Sequence, residues 1–211
     1  MGAEPFFFKQ STEANAPKVY ARVMKFFVIT ICGMFLMVSL YLDIWKELFI
    51  RDEKMWAGIK VVPILLLANM FLGIYINLSI WYRLSRKTTA GAYITLIGAG
   101  ITLAVNFIFI PYFSYMACAW ATFLCYGSMM VISYVQGQKS YPVPYAWKKL
   151  LAYLVIVVIL YFIHHAIIKI WASPALNYTV ATFFLLLFGL FIYRIERKEF
   201  NNLFKIQRNP V

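Results

Sequence analysis

Few side chains in this sequence offer chemistry, and most of those lie inside or beside long apolar runs. Asn69, Asn77 and Asn106 sit within such runs. An amide facing hydrocarbon is costly, so each is expected to face protein or a water-filled cavity. Asn69, Gly73 and Asn77 follow at spacings of four and share one helix face. That pattern suits either a hydrogen bond between helices or contact with a polar substrate. Arg83, Arg86 and Lys87 form a short basic turn, with Lys148 and Lys149 further on. Such cations bind phosphate or pyrophosphate, and they equally serve to orient a membrane chain and attract anionic lipid.

Other candidates are weaker. His164 and His165 are adjacent, so on a helix they point about 100° apart and do not form one metal site. Their position near a span end suits interfacial water. Cys32, Cys118 and Cys125 all fall inside apolar runs, where cysteine behaves as a small hydrophobe. No metal site and no cofactor are expected. The pattern HExxH, the nucleophile elbow, the P-loop and a carboxylate pair are all missing from the sequence, so an enzyme is not expected. Acidic residues lie in the terminal segments or in 43–53, and no charged residue is expected deep in any span. An ion-coupled carrier usually keeps an intramembrane carboxylate.

The composition decides what surrounds these residues. Hydrophobic residues make up 63% and charged ones 13%, against about 25% charged in a soluble domain. Mean hydropathy is +0.74. A soluble fold of this size could not hide so much apolar surface, so lipid must solvate much of it. The net charge of +12 sits at the ends of apolar runs. That is the pattern of membrane topology, and nucleic acid is not an expected partner.

The expected fold is therefore all-α, a polytopic bundle of six transmembrane helices. The runs 26–42, 61–82, 90–110, 116–135, 151–168 and 176–193 are each near the roughly 20 residues that cross about 30 Å of hydrocarbon. Residues 1–25 form a polar N-terminal segment, 26–193 the membrane domain and 194–211 a basic tail. Pro17 suits the first turn of a helix capped by Ser11 or Thr12. Residues 43–60, with Trp45 and Trp56 among charges, read as a helix end plus an interfacial helix. Trp81 and Tyr82 are expected at the membrane interface, and Pro111 is expected to stop the third span. Six spans put both ends of 1–211 on one side. That side carries 15 Lys and Arg and the other 5, so both ends are expected in the cytoplasm.

Within the bundle, Gly91, Thr95, Ala99, Thr102 and Asn106 form one small, weakly polar face, and Ala117, Ala121, Cys125 and Ser128 another. A short turn makes these two helices a hairpin, so the two stripes are expected to meet.

The run LLLANMFLGIYINLSIWYRLSRKTTAGAYITLIGAGITLAVNFIFIPYFSYMACAWATFLCYGSMMVISYVQGQKSYPVPY (65–145) resembles the C-terminal half of bacterial Wzx-like polysaccharide flippases of the MOP superfamily, with a Bacteroidetes-like flavour. The opening AEPFFFKQS is similar to a segment that closes an earlier helix pair in that family. Relatives tend to carry Gly where this chain has Ser114 and again at Ala117. The resemblance implies one lobe of a carrier that moves lipid-linked oligosaccharide, its polyprenyl pyrophosphate included, across the inner membrane. Family members typically have fourteen helices in two pseudo-symmetric lobes, and these six spans correspond to the last six. A missing N-terminal lobe or a second copy is then an implied partner, beside membrane lipid. Asn69, Asn77 and Asn106 become candidates for the cavity wall, and Arg83, Arg86 and Lys87 for its cytoplasmic rim. Alternatives are another exporter of the same superfamily and a non-transporting membrane scaffold.

Overall fold

The computed structural model describes residues 15–50, 52–85, 87–170 and 174–208, with side chains throughout except at 53–55, 57, 174, 175 and 198–208. Among the described residues the chain is all-helical. In order come α1 (Ala16–Leu40), α2 (Leu42–Phe49), a 3-10 helix (Glu53–Val61), α3 (Val62–Leu78), α4 (Ile80–Leu84), α5 (Thr88–Phe113), α6 (Tyr115–Ser140), α7 (Trp147–Ile170) and α8 (Pro174–Arg208). Six helices are long and apolar enough to cross a membrane, with α3 and α4 counting as one continuous span, Gly58–Leu84. The chain is an integral membrane protein with a six-helix bundle.

The helices run past the apolar stretches that nucleate them. α1 begins at Ala16, ten residues before the expected start of the first span, with Pro17 in its first turn. Proline lacks only an N–H that has no acceptor there anyway. The N-cap is Asn15, without a side-chain bond, and Ser11 and Thr12 lie outside the described residues. α8 continues through the expected tail to Arg208. Pro111 does not stop α5 either, because it sits in the last turn, and the helix ends at Ser114 instead. Ser114 has φ 49° and ψ −133°, the one non-glycine residue with positive φ among those described. That backbone favours glycine.

Two groups of helices pack side by side. In a trunk, α1 lies against α7 and α8. In an arm, α6 lies between α3 and α5. The groups meet where α1 packs on α3, and Met24, Val28, Met70, Ile74, Tyr153 and Phe188 belong to one shared core. Here Gly73 admits the Phe27 ring, whose atoms would lie 2.7 Å from a Cβ at that position. α1 is the best-buried span, with 44% of its apolar window inside, and α5 the least, with 11%. Exposed side chains such as Phe107 (88%) and Leu103 (71%) face outward from α5 as lipid-facing groups do.

The hairpin seam between α5 and α6 differs in register from the expected one. Gly91, Ile94 and Gly98 are buried on α5, whereas Thr95 and Ala99 are exposed. Ala117, Ala121 and Cys125 are buried on α6 as expected, joined by Met129. A Cβ at Gly98 would lie 2.6 Å from Met129 Sδ, so the close approach itself selects the glycine face over the threonine face. The threonines bond their own helix: Thr95 Oγ1 donates to Gly91 O at 2.9 Å and Thr102 Oγ1 to Gly98 O at 3.0 Å. Hydroxyls satisfied in this way can face lipid at little cost.

Between the first two spans, α2 and the 3-10 helix make up the segment expected to lie at an interface. Lys46 Nζ lies 4.4 Å above the Trp56 ring, and Trp56 Nε1 donates to Ile50 O at 3.2 Å. Trp81 and Tyr82 depart from expectation. Both are buried, Trp81 Nε1 donating to Ser133 Oγ at 3.2 Å while its ring fills the notch over Gly137.

Candidate substrate-facing residues and the basic end

Asn69 stands halfway along α3, and it is exposed. Its Nδ2 donates to Leu65 O at 2.8 Å. Asn77, two turns further on, is half-buried and donates to Gly73 O at 3.1 Å. Both asparagines bond their own helix, so neither acts as a link between helices through these donors. Asn106 lies apart on α5, beside a shallow apolar recess of about 710 Å³ lined by Leu103, Phe107, Ile110 and Pro111. Its Oδ1 is shielded from water and has no hydrogen-bond partner among the described residues. The structure thus keeps Asn69 and Asn77 on one face of α3 and leaves Asn106 on a helix that is separated from α3 by α6.

α1 also carries exposed side chains although it is the best-buried span. Lys18, Arg22, Thr30, Met34 and Met37 are exposed along it. Thr30 Oγ1 donates to Phe26 O at 3.0 Å. They pass from cations at one end to flexible and weakly polar side chains mid-helix.

The cations gather at the end of the bundle where α1 begins. There Ala16, Tyr20 and Val143 form a small core with Ile80, Leu84 and Tyr145, which ties α1 to α4 and to the connection 141–146. Arg83 is half-exposed and Lys87 exposed beside this core, while Arg86 lies outside the described residues. Tyr141 and Tyr145 belong to the connection, and burial raises the phenol pKa of both above its ordinary value. They are neutral hydrogen-bonding groups at physiological pH.

One cluster at this end was not anticipated. Lys25 Nζ lies 2.7 Å from Glu196 Oε2, and both side chains are buried. Tyr153 Oη donates to Glu196 Oε1 at 2.7 Å, and Lys149 Nζ is 3.5 Å from the same oxygen. The pair locks α1, α7 and α8 together. It draws into the bundle one residue from each of the segments 1–25 and 194–211, which the sequence places outside the membrane domain. The signal was present in the spacing: Ala181, Phe184, Phe188, Ile192 and Glu196 are all buried at steps of three or four, so Glu196 extends the inward face of α8 by one turn.

The opposite end has its own polar links. Asn177 Nδ2 donates to Asp43 Oδ2 at 3.1 Å, Lys46 Nζ reaches Asp43 Oδ1 at 3.0 Å, and Tyr41 Oη meets Thr182 Oγ1 at 2.7 Å. His164 is buried beside Phe184, not at interfacial water, whereas His165 points away and stacks on Tyr161. Among the described residues no group of three His, Cys, Asp or Glu is placed to hold a metal ion.

Set beside family models, curated proteins and solved structures, the chain finds no match. What the fold and its apolar surface define is the class: an integral membrane protein of six spanning helices.

Proposed function

We propose that the chain is the C-terminal lobe of a flippase that moves lipid-linked oligosaccharide across the bacterial inner membrane for surface polysaccharide or lipopolysaccharide synthesis, with both ends of 1–211 in the cytoplasm. The reading starts from the resemblance of 65–145 to Wzx-like flippases. The observation that carries it in the structure is Asn69: an exposed amide at mid-span on α3, the helix that packs against α1. An amide exposed to lipid tails is unfavourable by a few kcal/mol, so this face of α3 suits a water-filled cavity shared with a second lobe. Transport would be alternating access, the two lobes rocking so that the cavity opens to each side in turn. The glycan and pyrophosphate travel in the cavity while the polyprenyl chain stays in lipid. Asn69 and Asn77 line the wall, Arg83 and Lys87 stand near the cytoplasmic mouth, and Arg86, outside the described residues, is assigned to the mouth from the sequence alone. Asn106 fits less well, because it lies on the far side of α6.

The test is export of a labelled lipid-linked oligosaccharide by proteoliposomes. The chain together with its missing lobe is expected to export, and Asn69→Leu is expected to lower the rate at least tenfold with unchanged thermal stability. Unchanged export by Asn69→Leu removes the cavity assignment. A two-lobe assembly that does not move the lipid at all favours the scaffold reading.

A further inference from the structure

We propose that the basic end holds one acidic membrane lipid, its phosphate between Lys18 and Arg22 and one acyl chain in a groove between α6 and α7. The connection from α6 to α7 separates two recesses, and alternate residues serve each. Pro144 and Ala146 line a pocket of about 200 Å³ together with Lys18, Ala21, Arg22 and Lys25. Tyr145 and Trp147 line a groove of about 190 Å³ together with Met24, Met130, Val131 and Leu154. The two recesses are thus neighbours across a single peptide strap, and Met24 and Lys25 flank them on α1. Gln138 Nε2 donates to Val143 O at 2.8 Å and fastens the strap to α6.

The charges indicate what the pocket takes. Lys25 is already committed to Glu196. Lys18 and Arg22 are exposed, one helical turn apart, and have no carboxylate within ion-pair distance among the described residues. Like charges at that spacing repel, and an anion between them removes the repulsion. A phosphate matches the donors of both side chains. Ala146, on the pocket wall, accepts the first hydrogen bonds of α7, so the positive end of that helix dipole faces the same space.

The groove selects a lipid over a soluble phosphate. Its lining is almost wholly aliphatic and aromatic, and it lies between α6 and α7 within the membrane-spanning part of the bundle. Trp147, half exposed at its rim, is the residue type found at headgroup level. Basic pockets between spanning helices are a recognised form of headgroup site. Lipid retention does not depend on transport, so the proposal stands or falls apart from the flippase reading.

The experiment is native mass spectrometry of the purified chain in detergent, titrated with phosphatidylglycerol, phosphatidylcholine or inorganic phosphate. One phosphatidylglycerol is expected to be retained in preference to phosphatidylcholine. The double variant Lys18→Gln, Arg22→Gln should weaken phosphatidylglycerol by roughly 30-fold, about fivefold for each cation. Val131→Trp, which fills the groove from an exposed position, should weaken both lipids. Lys60→Gln, at the opposite end, should change neither. Undiminished phosphatidylglycerol binding by the double variant overturns the proposal. So does competition by inorganic phosphate with no effect of Val131→Trp, since that describes a soluble-anion site.

Discussion

The trunk and the arm are held together by different means. In the trunk, α1, α7 and α8 are joined at one end by Lys25 with Glu196 and Tyr153, and at the other end Asn177 ties α8 to Asp43 of α2. In the arm, α3, α5 and α6 approach through glycine notches, with Gly98 against Met129 and Gly137 against Trp81. Between helices in lipid there is no hydrophobic driving force, so a bundle must rely on contact and hydrogen bonding. The comparison shows both solutions within one chain. Directional ionic links resist sliding, while shape-matched seams of small residues allow it.

The largest effect should come from breaking the ionic link. Glu196→Gln takes the carboxylate away from buried Lys25, at a cost of about 3–5 kcal/mol, and Lys25→Met, which leaves Glu196 only the half-exposed Lys149, should cost somewhat less. Replacing both, Lys25→Met with Glu196→Leu, should recover most of that loss, because the desolvation penalty of both ions disappears together. Thermal unfolding of the purified variants in detergent reads both outcomes. Equal losses in the single and double variants would mean that the pair stabilises the trunk in its own right.

A smaller effect is expected in the arm. A Cβ at Gly137 would stand 2.8 Å from Trp81 Cδ1, and the ring is held by its bond to Ser133. Gly137→Ala should cost about 1–3 kcal/mol through overpacking. Gly100 has nothing within 4 Å of the same position, so Gly100→Ala should be neutral or stabilise by up to about 1 kcal/mol. The same unfolding measurement compares the two, and equal shifts would refute the notch.

The smallest effect sharpens the hairpin. Ser114→Gly removes the strain of a side chain at φ 49° and should stabilise the turn by about 1 kcal/mol. The glycine also loosens the unfolded chain, which reduces the gain. An unchanged or lower unfolding temperature would show that Ser114 is not strained there.

The sequence made the spans legible because crossing hydrocarbon needs a long apolar run, and each such run became a helix. It did not make their ends legible. Hydropathy stops at Phe26 and Tyr193, but the inward face of each helix continues through Lys25 and Glu196, where a counter-charge compensates burial. The hairpin was legible as a pair, and its register was not, since Thr95 and Gly98 are both small and only close approach separates them. Trp81 and Tyr82 looked interfacial by residue type, yet a glycine on α6 draws the indole inside. Of the candidate site, the shared face of Asn69 and Asn77 followed from spacing alone. The distance of Asn106 from them depends on which helix separates α3 from α5, which periodicity does not encode.

The most direct test of the account asks what medium the Asn69 face meets. With Cys32, Cys118 and Cys125 replaced by Ser, and with the proposed second lobe present, Asn69→Cys and Leu96→Cys are compared in membranes for reaction with a membrane-impermeant maleimide. Both positions are exposed and lie within spans, one on α3 and the other on α5. The account predicts rapid labelling of Asn69→Cys and none of Leu96→Cys. If neither reacts, or if both react alike, the face carrying Asn69 is no water-lined wall, and the account of this bundle as half of a carrier is contradicted.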